Sequence, residues 1–98
     1  MKKAVFNVYV DYVCSNTHTK RAHLFKKDKR PTIATSRFLL YTMCKERPMT
    51  VACIIELMSG EGYKTTRSSV EHGLNKISNS DDVDVINFIK NFKKKCKI

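Results

Sequence analysis

Side chains that could act as nucleophiles or metal ligands are scattered along the chain. Cys14, His18 and His23 could meet at a zinc ion with a distant cysteine, but their spacing matches none of the common zinc-finger patterns. No known catalytic signature places a serine, cysteine or histidine beside a base. We therefore expect a protein that is not an enzyme and that holds no metal ion and no cofactor.

The cysteines and the apolar segments predict the cellular compartment of the protein. It has four cysteines and no C-x-x-C pair, and a domain of 98 residues can fold without disulfides, so the thiols are expected to be reduced. No apolar run approaches the ~20 residues of a membrane span. Asn7 and Asp11 interrupt the segment that would be the core of a signal peptide. These features predict a cytoplasmic protein with no membrane partner.

The charge of the chain points to a polyanion as its partner. Nineteen Lys and Arg against nine Asp and Glu leave a net charge of +10 on one domain, residues 1–98. A field of this size attracts phosphate without a shaped pocket. The densest inner cluster is Lys26-Lys27-Asp28-Lys29-Arg30, here called the basic loop (residues 26–30). Pro31 follows it and is suited to the first turn of a new helix.

The sequence pattern predicts about six helices, and these helices must position the charges. Residues 6–13 fit both a helical stripe and a strand alternation, so the residues alone leave the first segment open. A short helix capped by Thr17 or Thr19 is expected next, followed by a central helix from Pro31 to Glu46. A helix capped by Thr50 then carries an apolar stripe at Val51, Ile54, Ile55 and Met58.

The second half of the chain contains a possible helix-turn-helix. Gly60 or Gly62 is expected to end the Thr50-capped helix, and Thr65 or Thr66 to cap another whose apolar stripe is Val70, Leu74 and Ile77. A short helix, a glycine turn and a second amphipathic helix are the layout of that motif. A last helix is expected after a cap at Ser80, with acidic residues in its first turn and lysines at its end. The fold class predicted is all-α.

The order of these features resembles the C-terminal DNA-binding domain of the bacterial replication initiator DnaA. The resemblance runs from about Val5 to the final helix and includes Ile33-Ala34-x-x-Arg37, Thr50-Val51-x-x-Ile54 and Ser68-Ser69-Val70. It implies an all-helical domain with a helix-turn-helix of the Trp-repressor-like kind, in which the first segment is a helix.

The resemblance also implies which residues meet DNA. In that family an Asp-His-Thr-Thr-Val motif opens the recognition helix in the major groove, and an arginine of the basic loop reaches the minor groove. Residues 66–70 stand at the motif, and Lys29 or Arg30 stands in the loop. Thr66 and Arg67 replace the motif's Asp and His, so the initiator's usual DNA box is not expected. The chain also lacks a G-x-x-x-x-G-K-[ST] loop for ATP.

The expected partner is double-stranded DNA. Arg67 could donate to a guanine edge, while Ser68 and Ser69 could contact phosphate or simply satisfy helix amides. Arg37 could clamp phosphate by its family position, or be a polar break in the central helix. The predicted DNA-binding residues are Lys29, Arg30, Arg37, Lys45, Arg47, Lys64, Thr65, Thr66, Arg67, Ser68, Ser69 and His72.

Two other functions stay open at this point. The same fold could bind a partner protein, with the lysines serving solubility, or it could bind RNA. Few exposed aromatics beyond Tyr63 offer a stacking platform, which disfavours RNA. A small regulator of a phage or mobile element is the class expected, and the oligomeric state is left open.

Overall fold

The computed structural model describes residues 2–27 and 30–95, and this part of the chain folds into six α-helices without a strand. The predicted all-α class with about six helices is confirmed. The elements are α1 (Lys2–Thr17), α2 (Arg21–Leu24), α3 (Pro31–Glu46), α4 (Val51–Gly60), α5 (Arg67–Ser78) and α6 (Val83–Lys95).

Helix α3 is the centre of the fold and contacts each of the other five helices. It begins with Pro31, whose missing N–H leaves no donor unpaired at a first helical turn, and it ends at Glu46, as predicted. Its apolar side chains supply much of the core because they are buried on several sides of the helix. These buried residues are Ile33, Leu39, Leu40, Tyr41, Met43 and Cys44.

The first segment is a helix, as the resemblance implied and as the residues alone did not decide. Phe6, Tyr9, Val10 and Val13 are buried, which is the helical stripe and not the strand alternation. The Tyr9 ring meets the ring of Phe92 on α6 edge-on, with 5.4 Å between centroids. Distant contacts of this kind select the helical option, since they need these four side chains on one side.

Local capping signals set the ends of the middle helices. The Thr50 hydroxyl accepts a hydrogen bond from Cys53 N at 3.1 Å, and the Thr66 hydroxyl accepts one from Ser69 N at 3.2 Å. Each bond satisfies one of the free amides of a helix start. Gly62 follows α4 with φ +88°, a conformation that glycine adopts without strain. The predictions at Thr50, Thr66 and Gly62 are confirmed.

Two predicted caps are wrong. Helix α2 begins after Lys20 without any side-chain cap, while Thr19 is buried and shares a 3.1 Å hydrogen bond with the Ser36 hydroxyl of α3. Helix α6 begins later than predicted, and the Asp82 carboxylate, not Ser80, accepts from Asp84 N at 2.8 Å. In both places the hydroxyl that was expected to cap the helix is bonded elsewhere. The Thr19 hydroxyl is bonded to Ser36, and Ser80 Oγ accepts from Asp82 N.

Helices α3 and α5 pack closely where a glycine allows it. A Cβ built on Gly73 would lie 2.5 Å from Cδ1 of Phe38, so any larger residue would displace that ring. The Phe38 ring also meets His72 edge-on at 5.9 Å. This contact places the first half of α5 against the middle of α3 and leaves the other side of α5 exposed.

Candidate nucleic-acid interface

The start of α5 presents short hydroxyls and an arginine to solvent. Arg67, Ser68 and Ser69 are exposed in its first turn. Thr66 Oγ1 donates to Ser69 Oγ at 3.1 Å and accepts from Ser69 N, so these two residues hold the cap. Ser68 is therefore better placed than Ser69 to contact an external phosphate or base edge.

Arg67 is exposed and is held by a neighbour on the same helix. Its Nε lies 3.0 Å from Oε1 of Glu71, and its side chain is 75% exposed. An exposed i,i+4 pair of this kind stabilises a helix by only ~0.3–0.5 kcal/mol. The pair orients the guanidinium in the free protein. Because it is weak, Arg67 can leave Glu71 for another partner at little energetic cost.

Arg37 links the basic loop to α3 and to the turn between α4 and α5. Its Nε donates to Leu24 O at 3.0 Å, and its Nη2 donates to Lys26 O at 2.8 Å. The guanidinium carbon lies 4.4 Å from the centroid of the Tyr63 ring, within cation–π range. One buried cation thus holds one carbonyl just before the basic loop, the carbonyl of the loop's first residue, and one aromatic ring of the turn.

Tyr63 brings the two predicted DNA-contacting segments together. Lys27 Nζ, from the basic loop, lies 5.6 Å from the Tyr63 ring centroid. Tyr63 also lines a cleft of about 360 Å³ together with Arg37, Phe38, Tyr41, Ser68, Ser69 and His72. The beginning of the basic loop and the beginning of α5 therefore lie on one side of the molecule. We call this the loop–turn face, made of Lys26, Lys27, Tyr63, Lys64, Arg67 and Ser68.

A second ion pair strengthens the same arrangement from the side of α2. Arg21 Nη2 lies 2.7 Å from Oε1 of Glu61 in the turn after α4, and it donates to Asn7 Oδ1 of α1 at 3.0 Å. Both acceptors lie far from Arg21 in the sequence. The turn is consequently fixed to α1 and α2 as well as to Arg37.

The structure places two predicted contact residues away from solvent. Arg37 is only 5% exposed, and its Nε and Nη2 atoms donate to carbonyls, which favours a positioning role over the predicted phosphate contact. Thr65 is half-buried, and its hydroxyl oxygen is inaccessible to solvent. We leave both residues out of the loop–turn face. The alternative interpretation of Arg37, a polar residue inside the central helix, is the one its burial favours.

The other predicted residues are distributed over several places. Lys64 and His72 are exposed near the loop–turn face, and Arg30 Nη2 lies 3.4 Å from His23 Nδ1 of α2. Lys45 instead borders a groove beside α6, and Arg47 is half-buried at the end of α3. Lys29 lies outside the described residues. The structure thus groups the α5 residues with the basic loop and leaves Lys45 apart.

Residues missing from the predicted site also belong to this surface. Lys27 and Tyr63 connect its two halves, and Glu71 and Asn75 are exposed on the outward side of α5. The sequence contained a signal for the last two, since Ser68, Glu71 and Asn75 fall on one stripe of a helix. Carboxylates and amides can both read base edges, so the stripe holds acceptors as well as donors.

Burial favours the neutral forms of two thiols and of one phenol. Burial raises the pKa of the Cys44 thiol and of the Tyr41 hydroxyl to about 12 each, and burial also raises the pKa of the Cys14 thiol. Cys14, Cys44 and Cys53 are free thiols. Within residues 2–27 and 30–95, no three His, Cys, Asp or Glu side chains are grouped closely enough to hold a metal ion.

Comparisons with known proteins leave the interface to be judged on its own geometry. No family model, curated protein or solved structure matches the chain significantly. None of the described helices is both long and apolar enough to cross a membrane.

Proposed function

We propose that this protein is a non-enzymatic DNA-binding protein that docks on duplex DNA through its loop–turn face. In the proposed complex α5 lies in the major groove, and the basic loop contacts the phosphate backbone or the adjacent minor groove. This docking follows the resemblance to the C-terminal domain of DnaA. The observation that carries the proposal is the cation–π cluster at Tyr63, which joins Lys27 of the basic loop to the turn before α5.

The electrostatics of the face support an anionic partner. Lys26, Lys27, Lys64 and Arg67 are all exposed there. The positive end of the α5 dipole adds to their field, because its first turn contains no carboxylate. Phosphate contacts from such side chains fix the register of a protein on DNA but carry no sequence information.

Sequence selection is assigned to the outward stripe of α5. Arg67 can present two donors to the O6 and N7 atoms of a guanine, and Asn75 can pair with the N6 and N7 atoms of an adenine. Each such bidentate contact discriminates against a wrong base by ~1–3 kcal/mol. Glu71 can accept from a cytosine amino group, and as an anion it weakens binding where no such partner is present.

A salt titration tests duplex binding itself. Fluorescence anisotropy with a mixed-sequence duplex should show affinity that falls linearly on logarithmic axes with salt concentration. If about four phosphates are contacted, the loss between 50 and 200 mM salt is roughly a hundredfold. Absence of salt-dependent binding would contradict the proposal. Competition with single-stranded RNA is the second arm, and stronger competition by RNA than by duplex DNA would point to the RNA alternative.

A pair of matched double variants tests the location. Lys27→Ala with Arg67→Ala removes two charges from the loop–turn face, and Lys90→Ala with Lys94→Ala removes two exposed charges from α6. We expect the first pair to weaken duplex binding at least about tenfold more than the second. Equal losses would mean that net charge alone drives binding and that the face is wrongly placed.

A further inference from the structure

Helices α3, α5 and α6 together line a groove that shares no residue with the loop–turn face, here called the α6 groove. Its volume is about 630 Å³, and its aliphatic lining comes from α5 and α6. Ile86 is 42% exposed, and Leu74 and Ile89 are half-buried. Apolar surface in the groove is therefore in contact with water, and an apolar partner that covered it would be favoured.

The charged residues of the α6 groove are mainly cations. Lys45 of α3 and Lys90 and Lys93 of α6 line it, and all three are exposed. Glu46 is the one carboxylate among the described residues that line it. Lys93 Nζ lies 3.6 Å from Glu46 Oε1, so the charges of the other two lysines stay in excess within this lining. Lysines beside exposed aliphatic side chains favour an anionic partner that is apolar on one side.

The α6 side of the groove has the spacing of a helix-docking surface. Ile86, Ile89, Lys90 and Lys93 stand at i, i+3, i+4 and i+7, and all four line the same groove. From Ile86 to Lys93 the helix rises ~10 Å, which is about two helical turns. A partner helix of similar length can lay apolar anchors on the isoleucines and place carboxylates beside the lysines.

We propose that the α6 groove binds an acidic, amphipathic α-helix of a partner protein. The apolar face of that helix covers Leu74 and the two isoleucines of α6, and its carboxylates pair with Lys45 and Lys90. Lys93 can exchange Glu46 for a carboxylate of the partner, because an exposed ion pair of this kind contributes little to stability. The inference goes beyond the proposed DNA binding and does not depend on it.

Other occupants fit this groove less well. A fatty acid carries one carboxylate, whereas the three lysines are distributed over two helices. The phosphates of DNA could meet the lysines, but they would leave Ile86 and Ile89 in contact with water. A second copy of the chain would bring a net charge of +10 to a groove that is itself positive. Several carboxylates flanking one apolar stripe match both the lysines and the isoleucines.

Binding of a designed peptide tests the groove in the absence of DNA. The probe is a fluorescently labelled, alanine-based helix of about 18 residues, with leucines at i, i+4, i+7 and i+11 and glutamates on both sides of that stripe. Anisotropy with the full chain at about 0.15 M salt should give a dissociation constant of roughly 10–100 μM, because the contact is smaller than a standard interface. No binding at ~1 mM protein would overturn the proposal.

Two control peptides test the stated chemistry of the partner. One has lysines in place of the glutamates, and the other has alanines in place of the leucines, which keeps it helical. Each should bind at least about tenfold more weakly than the probe. Equal binding of the lysine peptide would mean that charge does not select the partner. Equal binding of the alanine peptide would mean that the isoleucines play no part, and either result would overturn the proposal.

Matched variants of the chain test the location. Ile86→Ser should weaken binding of the probe at least about fivefold, whereas Val8→Ser, which alters a 48% exposed residue on α1, should change it less than about twofold. Lys90→Glu should also weaken it at least about fivefold, and Lys64→Glu, the same charge change on the loop–turn face, less than about twofold. Equal effects within either pair, with all four variants folded by circular dichroism, would overturn the proposal.

Duplex binding by the two charge variants separates the groove from the DNA alternative. Lys64→Glu should weaken duplex binding more than Lys90→Glu does. The reverse order, with binding of the probe unchanged in Lys90→Glu, would assign the groove lysines to DNA and overturn the proposal. If the unaltered chain bound the probe as described but did not bind duplex DNA, the groove would stand and only the proposed DNA-binding function would fail.

Discussion

Helices α5 and α6 begin in opposite electrostatic settings. The first turn of α6 holds Asp84, and the Asp82 carboxylate accepts from the Asp84 amide. The first turn of α5 holds Arg67 and two serines with no carboxylate. Because a helix start carries a partial positive charge, the residues at α6 stabilise their helix and Arg67 opposes its own. The start of α6 is thus neutralised within the chain, while the start of α5 is left for an external anion.

The two regions also differ in how their cations are held. Lys27 and Arg67 stand beside a turn that is fixed by Arg37, Tyr63 and Glu61. Lys90 and Lys94 stand on an exposed helix face, where a phosphate would have to order them. Ordering a long side chain costs up to ~2 kcal/mol of entropy, so cations beside a fixed turn are better suited to a defined contact.

The largest effect is expected from Arg37→Ala. The change leaves the carbonyls of Leu24 and Lys26 without their buried donor and removes the ring contact with Tyr63. Since hydrogen bonds to charged groups contribute ~1.5–3 kcal/mol each, we expect the free energy of unfolding to fall by about 3 kcal/mol. Urea denaturation followed by circular dichroism measures this change.

Arg67→Ala is the control for that experiment. Arg67 is exposed and paired only with Glu71, so its removal should change the free energy of unfolding by less than ~0.5 kcal/mol while weakening duplex binding. A loss below ~1 kcal/mol for Arg37→Ala would mean that the guanidinium does not organise the loop and the turn.

Gly73→Ala should produce the next largest effect. Its Cβ would meet the Phe38 ring at 2.5 Å, and overpacking of this kind typically costs ~1–3 kcal/mol. Gly60→Ala is the matched control, because no atom lies within 4 Å of its Cβ position and alanine is the better helix former. Opposite shifts of the melting temperature are expected for the two variants. A stabilising Gly73→Ala would show that α5 does not approach α3 as closely as described.

Local sequence signals predict much of the fold and the α5 half of the loop–turn face. The caps at Thr50 and Thr66 and the turn at Gly62 each depend on residues at most a few positions away, so the sequence alone predicts them. The exposed start of α5 follows from the apolar stripe of Val70 and Ile77 on its other side.

Long-range packing decided the rest. The family position of Arg37 predicts a phosphate contact. Its acceptors in the structure are backbone carbonyls 11 and 13 residues away, and nothing in a sequence marks such partners. The residues of the first segment fit two periodicities, and packing against distant residues, such as the contact of Tyr9 with Phe92, decides between them. Thr19 looks like a cap until Ser36 is placed beside it.

The smallest expected effect bears most directly on the contrast between α5 and α6. Ser68→Asp adds a carboxylate to the start of α5, and Asp84→Asn removes one from the start of α6. The dipole contribution predicts that the first raises the free energy of unfolding and the second lowers it, by ~0.3–1 kcal/mol each. Ser68→Asp should nevertheless weaken duplex binding roughly tenfold, since it sets an anion against phosphate on the loop–turn face. Asp84→Asn should leave binding unchanged or slightly tighter.

Urea denaturation and anisotropy on the same two proteins measure both quantities. Stability and binding should move in opposite directions for Ser68→Asp, which a merely damaged fold would not produce. If Ser68→Asp bound duplex DNA as tightly as the unaltered chain, phosphate could not lie near the start of α5. The anion would then have to be sought elsewhere, and the lysine-rich end of α6, where Lys90 and Lys94 are exposed, would be the next place to test.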